Sequence, residues 1–140
     1  MGITKKKFLE ELNKDLEWEY AAAIQYIQHS ATIKGAQYDS LIKEIILHST
    51  QEMQHALQLS VQIDYLGGVP VARVEKMETD KDSRAMLKQD LAGEEYAIRR
   101  YRERIVQAEE LKEYGTRRIL EDILIMEEEH RRDLLTALGK

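Results

Sequence analysis

Six residues of types that bind metal ions interrupt apolar stripes in this sequence. Two are glutamates within otherwise apolar helical patterns, and four form two Glu-x-x-His pairs, whose members share one helix face because residues three apart are neighbours. The six residues are Glu19, Glu52, His55, Glu94, Glu127 and His130. Carboxylates buried without partners are too costly to keep their charge, so a buried set of this kind requires cations. Oxygen-rich ligation with one imidazole for each ion favours two iron ions, or two manganese ions, held side by side.

The same residues follow an internal repeat. Glu94 lies 75 positions after Glu19, and the offset recurs in the rest of the set, in two tyrosines and in several leucines. The pairs include Glu52 with Glu127, His55 with His130, Tyr26 with Tyr101, Leu12 with Leu87 and Leu16 with Leu91. A single Glu-x-x-His pair is a weak signal, because exposed charges on a helix face would explain it. Two repeated halves would explain the shared offset, and they place the six residues at equivalent positions in the core.

Glycine and proline positions divide the chain into four segments with apolar residues at helical spacing. The predicted helices run from Thr4 to Lys34, Tyr38 to Leu66, Asp82 to Tyr114 and Thr116 to Leu138. The short joints after the first and third helices predict two antiparallel hairpins. The connection from Gly67 to Lys81 is long enough to run beside a helix of about 45 Å. The sequence therefore predicts an all-α four-helix bundle with one long crossover, as a single domain over residues 1–140.

The composition limits the class of protein. The chain is 43% apolar and 34% charged, a balance that builds a core, and its net charge of -5 argues against a nucleic-acid partner. The absence of cysteine removes disulfides, thiolate metal sites and thiol catalysis. The basic N-terminus leads into no apolar stretch, which excludes a secretion signal or a membrane span there. We therefore expect a cytoplasmic protein without a membrane partner.

The motifs around the six residues resemble those of the ferritin-like superfamily, and of the bacterioferritins most closely. The matching stretches are Glu19 to Tyr26, Glu52-Met53-Gln54-His55, Asp90-Leu91-Ala92-Gly93-Glu94 and Glu127-Glu128-Glu129-His130. The resemblance implies that Glu52 and Glu127 bridge two iron ions. It also implies that each ion is completed by one terminal carboxylate and one imidazole, from Glu19, Glu94, His55 and His130. The activity implied is the ferroxidase reaction, the oxidation of iron(II) by oxygen or peroxide, in iron storage or detoxification.

Two other functions stay open at this point. One is peroxide reduction, because Tyr26 and Tyr101 resemble paired tyrosines of rubrerythrin-like bundles. Each tyrosine lies seven residues after a glutamate on the same helix face, where it packs in the core or else orients a carboxylate or relays an electron. Against this alternative, Ala97 occupies the position of an extra rubrerythrin glutamate, and the chain lacks cysteines. The other alternative is a non-catalytic bundle that carries metal or haem.

Met53 and a second apolar stripe point to an interface. Bacterioferritin subunit pairs hold a haem between two methionines, and the resemblance makes Met53 a candidate haem ligand, with simple packing as the alternative. The stripe lies on the first two helices and predicts a homodimer through them. It comprises Tyr20, Ile24, Ile27, Ala31, Ile42, Ile46, Ser49, Met53 and Leu57. The sequence has no counterpart of the fifth helix of bacterioferritins after Leu138, which argues against a closed cage and leaves a dimer or a larger assembly open.

Four further residues carry weaker expectations. His48 lies near the stripe of metal-binding residues and is expected to be a partly buried polar residue, and His29 is expected at the surface. Trp18 is expected to pack at an interface or beneath the crossover. Gly93 interrupts a helical pattern, so we expect either a neighbour's close approach or a local bulge there.

Overall fold

The computed structural model describes residues 2–140 and contains four long helices. They are α1 (Lys5–Thr32), α2 (Asp39–Tyr65), α3 (Ser83–Glu110) and α4 (Tyr114–Ala137), with one 3-10 turn, Ala36–Tyr38, before α2. The described residues contain no strand. The all-α four-helix bundle is therefore confirmed. Within residues 2–140, none of the helices combines the length and the apolar content that crossing a bilayer requires.

Side-chain caps set two of the helix starts. The hydroxyl of Thr4 accepts a hydrogen bond from the Lys7 N–H at 3.1 Å before α1. The carboxylate of Asp82 accepts one from the Ala85 N–H at 2.8 Å before α3. Each cap satisfies a backbone donor that the first helical turn leaves free. Both caps fall where the sequence places the start of a helix.

The boundary predicted at Gly115 is wrong. Helix α3 ends at Glu110, and α4 begins at Tyr114 and includes Gly115. The turn uses Lys112, whose φ of 60° is in the left-handed region, and its N–H bonds the Glu109 carbonyl at 2.9 Å. Because a lysine adopts the conformation usually reserved for glycine, the glycine position misleads the assignment.

The apolar core is divided into two clusters at opposite ends of the bundle. Helix α1 packs along α2, α3 packs along α4, and the two hairpins meet chiefly through α1 and α3. One cluster includes Phe8, Leu12, Leu16, Leu59 and Leu120. The other includes Tyr26, Ile45, Leu87, Leu91 and Leu134. The six candidate metal-binding residues occupy the layer between them, so apolar side chains close the site from above and below.

The long crossover runs along α1 and is bonded to it. Near the start of α1, Asn13 donates to the Val69 carbonyl at 3.1 Å and accepts from the Val71 N–H at 2.9 Å. Near its end, the Gln25 side-chain oxygen accepts from the Glu78 N–H at 2.7 Å. The segment therefore traverses the length of the bundle, as its length predicts.

His29 lies beneath this crossover and not at the surface, so the expectation for it is wrong. Its side chain is fully buried. Its Nε2 donates to the Glu78 carbonyl at 3.1 Å, and its Nδ1 lies 2.9 Å from the Asp90 carboxylate of α3. Helical periodicity assigned that face of α1 to water because it carries no information about the segment that covers it.

The second apolar stripe of α1 and α2 is exposed at most of its positions. Ile27, Ile46, Met53 and Leu57 are between 50% and 67% exposed. The expectation that Ser49 belongs to this exposed stripe is wrong. Ser49 is buried, and its hydroxyl donates a hydrogen bond to the Ile46 carbonyl at 2.6 Å. The remaining stripe forms an apolar surface on one side of the first hairpin.

Candidate metal centre

The six candidate residues meet in the middle of the bundle as two overlapping groups. One group consists of Glu19, Glu52, His55 and Glu127, and the other of Glu52, Glu94, Glu127 and His130. Within each group, one ligand atom of every residue lies within 4.8 Å of the others. All six residues are at most 5% exposed. Glu52 and Glu127 belong to both groups, which is the arrangement that two bridging carboxylates require.

The two histidines occupy equivalent surroundings. The Nδ1 of His55 lies 3.3 Å from Glu52, 3.4 Å from Glu127 and 3.6 Å from Glu19. The Nδ1 of His130 lies 3.3 Å from Glu52, 3.3 Å from Glu94 and 3.5 Å from Glu127. Each imidazole therefore faces three carboxylates from three different helices. The offset of 75 positions in the sequence corresponds to this repeated geometry.

Several of these buried atoms have no hydrogen-bond partner. They are one oxygen each of Glu19, Glu52 and Glu94, both oxygens of Glu127, and the Nδ1 of His55. Buried polar atoms are almost always hydrogen-bonded, so such a concentration in one layer indicates that a cation belongs there. Two divalent ions balance four carboxylates, and the oxygen-rich donor set with one imidazole for each ion suits iron or manganese. The residues therefore fit a pair of metal ions.

Burial and mutual repulsion hold protons on the metal-free centre. Burial, with a contribution from the neighbouring carboxylate, raises the pKa of Glu94 and of Glu127 to about 7. The pKa values of Glu19 and Glu52 shift upward for the same reasons. Burial opposes a charge on His130, but its carboxylate neighbours outweigh that effect and raise its pKa to about 11. Incoming cations must therefore displace protons from this layer.

Two buried tyrosines fix the terminal carboxylates. The Tyr26 hydroxyl on α1 donates to Glu94 Oε1 on α3 at 2.7 Å. The Tyr101 hydroxyl on α3 donates in the same way to Glu19 Oε1 on α1. In both glutamates the second oxygen, Oε2, is the one without a partner. Burial and the adjacent carboxylates keep the pKa of both phenols well above its ordinary value, so the tyrosines remain donors. Of the roles considered for the two tyrosines, orientation of a carboxylate is the one that these hydrogen bonds support.

Gln51 orients one imidazole and was not identified from the sequence. The His130 Nε2 donates to the Gln51 side-chain oxygen at 2.7 Å, which leaves Nδ1 as the nitrogen that faces the carboxylates of the centre. The position equivalent to Gln51 in the repeat is Met126, which offers no such acceptor. A comparison of the two halves of the sequence shows this difference, but it gives no sign that Gln51 reaches across to α4.

A buried polar layer between α1 and α3 was also missed. On one side, Asp15 accepts from Arg100 at 2.7 Å and from Arg104 at 2.7 Å. On the other side, Asp90 accepts from Gln25 at 2.9 Å and pairs with His29. The equivalent pairs, each 75 positions apart, are Asp15 with Asp90, Gln25 with Arg100 and His29 with Arg104. The repeat offset is the signal that would have found this layer.

Two further candidate residues, His48 and Met53, lie outside the group of six. His48 is buried, stacks on His130 with ring centroids 4.0 Å apart, and lies 3.2 Å from Asp133. Burial, with the charge on His130, lowers its pKa to about 4, so it packs as a neutral ring. With Glu44 and Asp133 it forms a third group of possible ligand atoms, outside the central layer. Met53 lies on the outside of the bundle, half exposed.

Both explanations considered for Gly93 are wrong. A Cβ atom at Gly93 would meet nothing within 4 Å, so no neighbour approaches closely. Helix α3 continues through this position without a bulge. Trp18 packs edge-to-face on Tyr96 of α3, with ring centroids 5.3 Å apart.

Comparison with known proteins gives concordant results. The family model described as a ferritin-like domain matches residues 9–140. A nutrient stress-induced DNA-binding protein of Nostoc is 35% identical over 94% of this chain and 77% of its own length. A bacterioferritin of Brucella melitensis is 29% identical over 96% of this chain and 88% of its own.

Two solved structures share the fold closely. A ferritin-like, diiron-carboxylate protein of Bacillus anthracis superposes with a TM-score of 0.93 at 33% identity and covers 99% of each chain. A bacterioferritin-related protein of Bacteroides fragilis, described as a dodecameric thioferritin, superposes with a TM-score of 0.90 at 31% identity. It covers 98% of this chain and 87% of its own.

Proposed function

This chain belongs to the ferritin-like domain family, and from that premise we propose that it is a ferroxidase that oxidises iron(II) with oxygen or peroxide. Iron(II) is the substrate, and two ions supply the two electrons that reduce oxygen to hydrogen peroxide or peroxide to water. The observation that carries the proposal is the pair of overlapping groups that share Glu52 and Glu127 and contain unpartnered ligand atoms. Storage and detoxification of iron are both served by this reaction.

The chain's own residues would divide the work as follows. Glu52 and Glu127 would each contact both ions. Glu19 with His55 would complete one ion's ligands, and Glu94 with His130 the other's. The tyrosine hydrogen bonds would hold the terminal carboxylates with one free oxygen each, and the apolar clusters on either side would limit the access of water.

A matched pair of variants on α4 tests the proposal. Glu127 is fully buried in both groups, whereas the adjacent Glu128 is turned outward, 3.8 Å from Arg102. We expect Glu127→Gln to lower the initial rate of iron(II) oxidation under air by more than about 100-fold, the upper range for changes to outer ligand partners. Glu128→Gln should leave the rate and the two-ion stoichiometry unchanged. Equal rates in the two variants would exclude oxidation at this centre.

Peroxide reduction is the second candidate, and Tyr26 and Tyr101 support it through their direct bonds to Glu94 and Glu19. The rates at which oxygen and hydrogen peroxide oxidise the bound iron distinguish the two functions. If hydrogen peroxide oxidises the bound iron much faster than oxygen does, peroxide removal is the better description. If the bound metal, iron or manganese, reacts with neither oxidant, the bundle is a non-catalytic metal carrier.

For assembly, we propose a homodimer through the exposed apolar surface of α1 and α2. Leu57 is 67% exposed and Ile27 is 55% exposed, and monomeric proteins rarely expose a contiguous apolar patch of this kind. Light scattering should show a dimer that Leu57→Glu converts to a monomer; a monomeric parent protein would exclude this interface. The dodecamer described for the Bacteroides fragilis relative makes a larger particle a further outcome to measure.

Met53 is half exposed on that same surface, so the dimer would bring two copies together as a candidate haem site. Loss of the haem absorption band in Met53→Ala would support this role. The net charge of -5 does not favour a nucleic-acid partner, although the Nostoc relative is named for DNA binding. A gel-shift assay with duplex DNA at low salt tests that expectation directly.

A further inference from the structure

A cavity of about 490 Å³ opens on the outer side of the α1–α3 contact and reaches the candidate metal centre. Buried carboxylates of the centre, including Glu19 and Glu94, line its inner end. Lys76 of the crossover and Lys88 of α3, both exposed, line its outer end. Its volume is within the range of about 300–1,000 Å³ that small-molecule sites occupy. The cavity thus connects solvent to the buried centre.

The cavity exists because the internal repeat is broken at one place. Trp18 and Tyr96 pack against each other on one side of the α1–α3 contact. The positions 75 residues away are Gly93 for Trp18 and Ala21 for Tyr96. Each half of the repeat therefore contributes one large aromatic residue to the first pair and one of the two smallest residue types to the equivalent pair. The space around Gly93 is what the smaller pair leaves, since no atom lies within 4 Å of its Cβ position.

Two more small residues extend the cavity inward. Ala22 and Ala97, which are equivalent in the repeat, both line it between the helices. A glycine in the middle of α3 is less favourable for the helix than alanine would be, and an unfilled apolar cavity also destabilises a core. Neither feature contributes to the stability of the bundle, and both make room for a bound molecule.

Polar groups around the cavity indicate the chemical class of that molecule. Within residues 2–140, neither Lys76 nor Lys88 lies within ion-pair distance of a carboxylate. Two carboxylates outside the metal centre, Glu78 and Asp90, also line the cavity, and Asp90 is already paired with His29. The indole N–H of Trp18 and the side-chain oxygen of Gln89 are buried there without partners. The outer end therefore favours an anion, while the carboxylates at the inner end repel one. The walls between the two ends are apolar and aromatic.

We propose that this cavity binds a small monocarboxylic acid, with its carboxylate at Lys76 and Lys88 and its hydrocarbon body directed at the metal centre. Because a cavity of about 150 Å³ accommodates benzene, a volume of about 490 Å³ has room for a chain of about eight to ten carbons. The candidate metal ligands line only the inner end of this site, apart from the lysines that would hold the carboxylate, and binding can be measured without oxidation of iron.

Intrinsic fluorescence provides a direct test, because Trp18 is the only tryptophan in the chain and lines the cavity. Titration of the full chain with sodium octanoate should give a saturable change in its emission, with 1-octanol binding at least about tenfold more weakly. A change that does not saturate would overturn the proposal. Equal binding of octanoate and octanol would overturn the assignment of an acid.

A matched pair of glycine variants locates the site. Gly93 and Gly115 both lie in helices with no atom within 4 Å of their Cβ positions, but only Gly93 lines this cavity. We expect Gly93→Leu to weaken octanoate binding at least about tenfold, since a single extra methylene in a pocket changes binding by about 10- to 200-fold. Gly115→Leu should bind as the parent does. Unchanged binding in Gly93→Leu would overturn the proposal.

Further variants and a zinc control keep the test interpretable if Gly93→Leu does not fold or if the carboxylate binds the metal. If Gly93→Leu does not fold, Gly93→Ala improves helix propensity and should still weaken binding severalfold. The double variant Lys76→Gln with Lys88→Gln should remove the preference for octanoate over octanol. Loading the chain with Zn²⁺ should not strengthen octanoate relative to octanol. If it does, the carboxylate binds the metal and the proposed orientation is wrong.

Discussion

Replacement of Tyr101 by phenylalanine tests whether the buried tyrosines hold carboxylates in place for metal binding. The Tyr101 hydroxyl donates to Glu19 Oε1, and the Oε2 of the same carboxylate has no partner. Phenylalanine keeps the buried ring, so packing is preserved. It leaves Oε1 without its donor, and the carboxylate is then free to rotate away from the position in which Oε2 faces the centre.

The size of the effect follows from the strength of one charge-assisted hydrogen bond. Such a bond contributes about 1.5–3 kcal/mol, and it is stronger to an ionised carboxylate than to a protonated one. A bound cation keeps Glu19 ionised, whereas burial favours its protonated form in the metal-free centre. Most of the lost energy therefore falls on the metal-bound state, which corresponds to a dissociation constant about 10- to 150-fold larger.

The repeat makes the expected effect selective for one ion. Tyr101→Phe should weaken the ion held by Glu19, and Tyr26→Phe should weaken the ion held by Glu94, because each tyrosine bonds only its own carboxylate. Calorimetric titration with Zn²⁺ in the absence of oxygen should resolve two binding steps. In each variant one step weakens, and in the double variant both do.

Tyr65→Phe is the control, because Tyr65 is 78% exposed and lies far along α2 from the centre. It should change neither binding step. If both single variants bind two ions with the parent's affinities, the tyrosines only fill space in the core. If each variant weakens both steps equally, the two carboxylates do not act at separate ions.

Three further predictions concern the surroundings of the centre. Gln51→Leu should weaken one of the two Zn²⁺ binding steps by about 10- to 100-fold, because the His130 ring loses its anchor. Asp15→Asn should lower stability by about 3–5 kcal/mol in thermal or urea unfolding, because the fully buried Asp15 is bonded to two arginines, Arg100 and Arg104. Zn²⁺ at about 100 times its dissociation constant should add about 2.7 kcal/mol to stability and raise the melting temperature by several degrees, and Glu127→Gln should abolish that rise.

The fold and the six central residues could be predicted because they depend on regularities within the sequence. Helical periodicity identifies which residues share a face, and the offset that relates Glu19 to Glu94 places them at the same level of the bundle. What could not be predicted depends on contacts between segments. The burial of His29 depends on the crossover, whose path over α1 leaves no periodic signal.

Local conformation accounts for the other errors. Gly115 predicts a helix boundary, but Lys112 adopts the left-handed conformation and makes the turn. Gly93 predicts either a close contact or a helix bulge, but it lies in a regular part of α3 and borders open space. In both cases the glycine permits several backbone conformations, and the tertiary structure determines which of them is adopted.

The departures from the repeat matter as much as the repeat itself. Equivalent candidate ligands in the two halves would give two ions similar intrinsic affinity, but His130 is anchored by Gln51 and the equivalent residue, Met126, cannot anchor His55. The cavity beside the centre is lined by glutamates of all four helices and by neither His55 nor His130. A molecule in the cavity therefore approaches the centre from the α1–α3 side, and the imidazoles close it from the α2–α4 side. The repeat places two equivalent groups of candidate ligands in the core. The residues that differ between its halves, Gly93 and Ala21 against Trp18 and Tyr96, open the centre to solvent on the α1–α3 side.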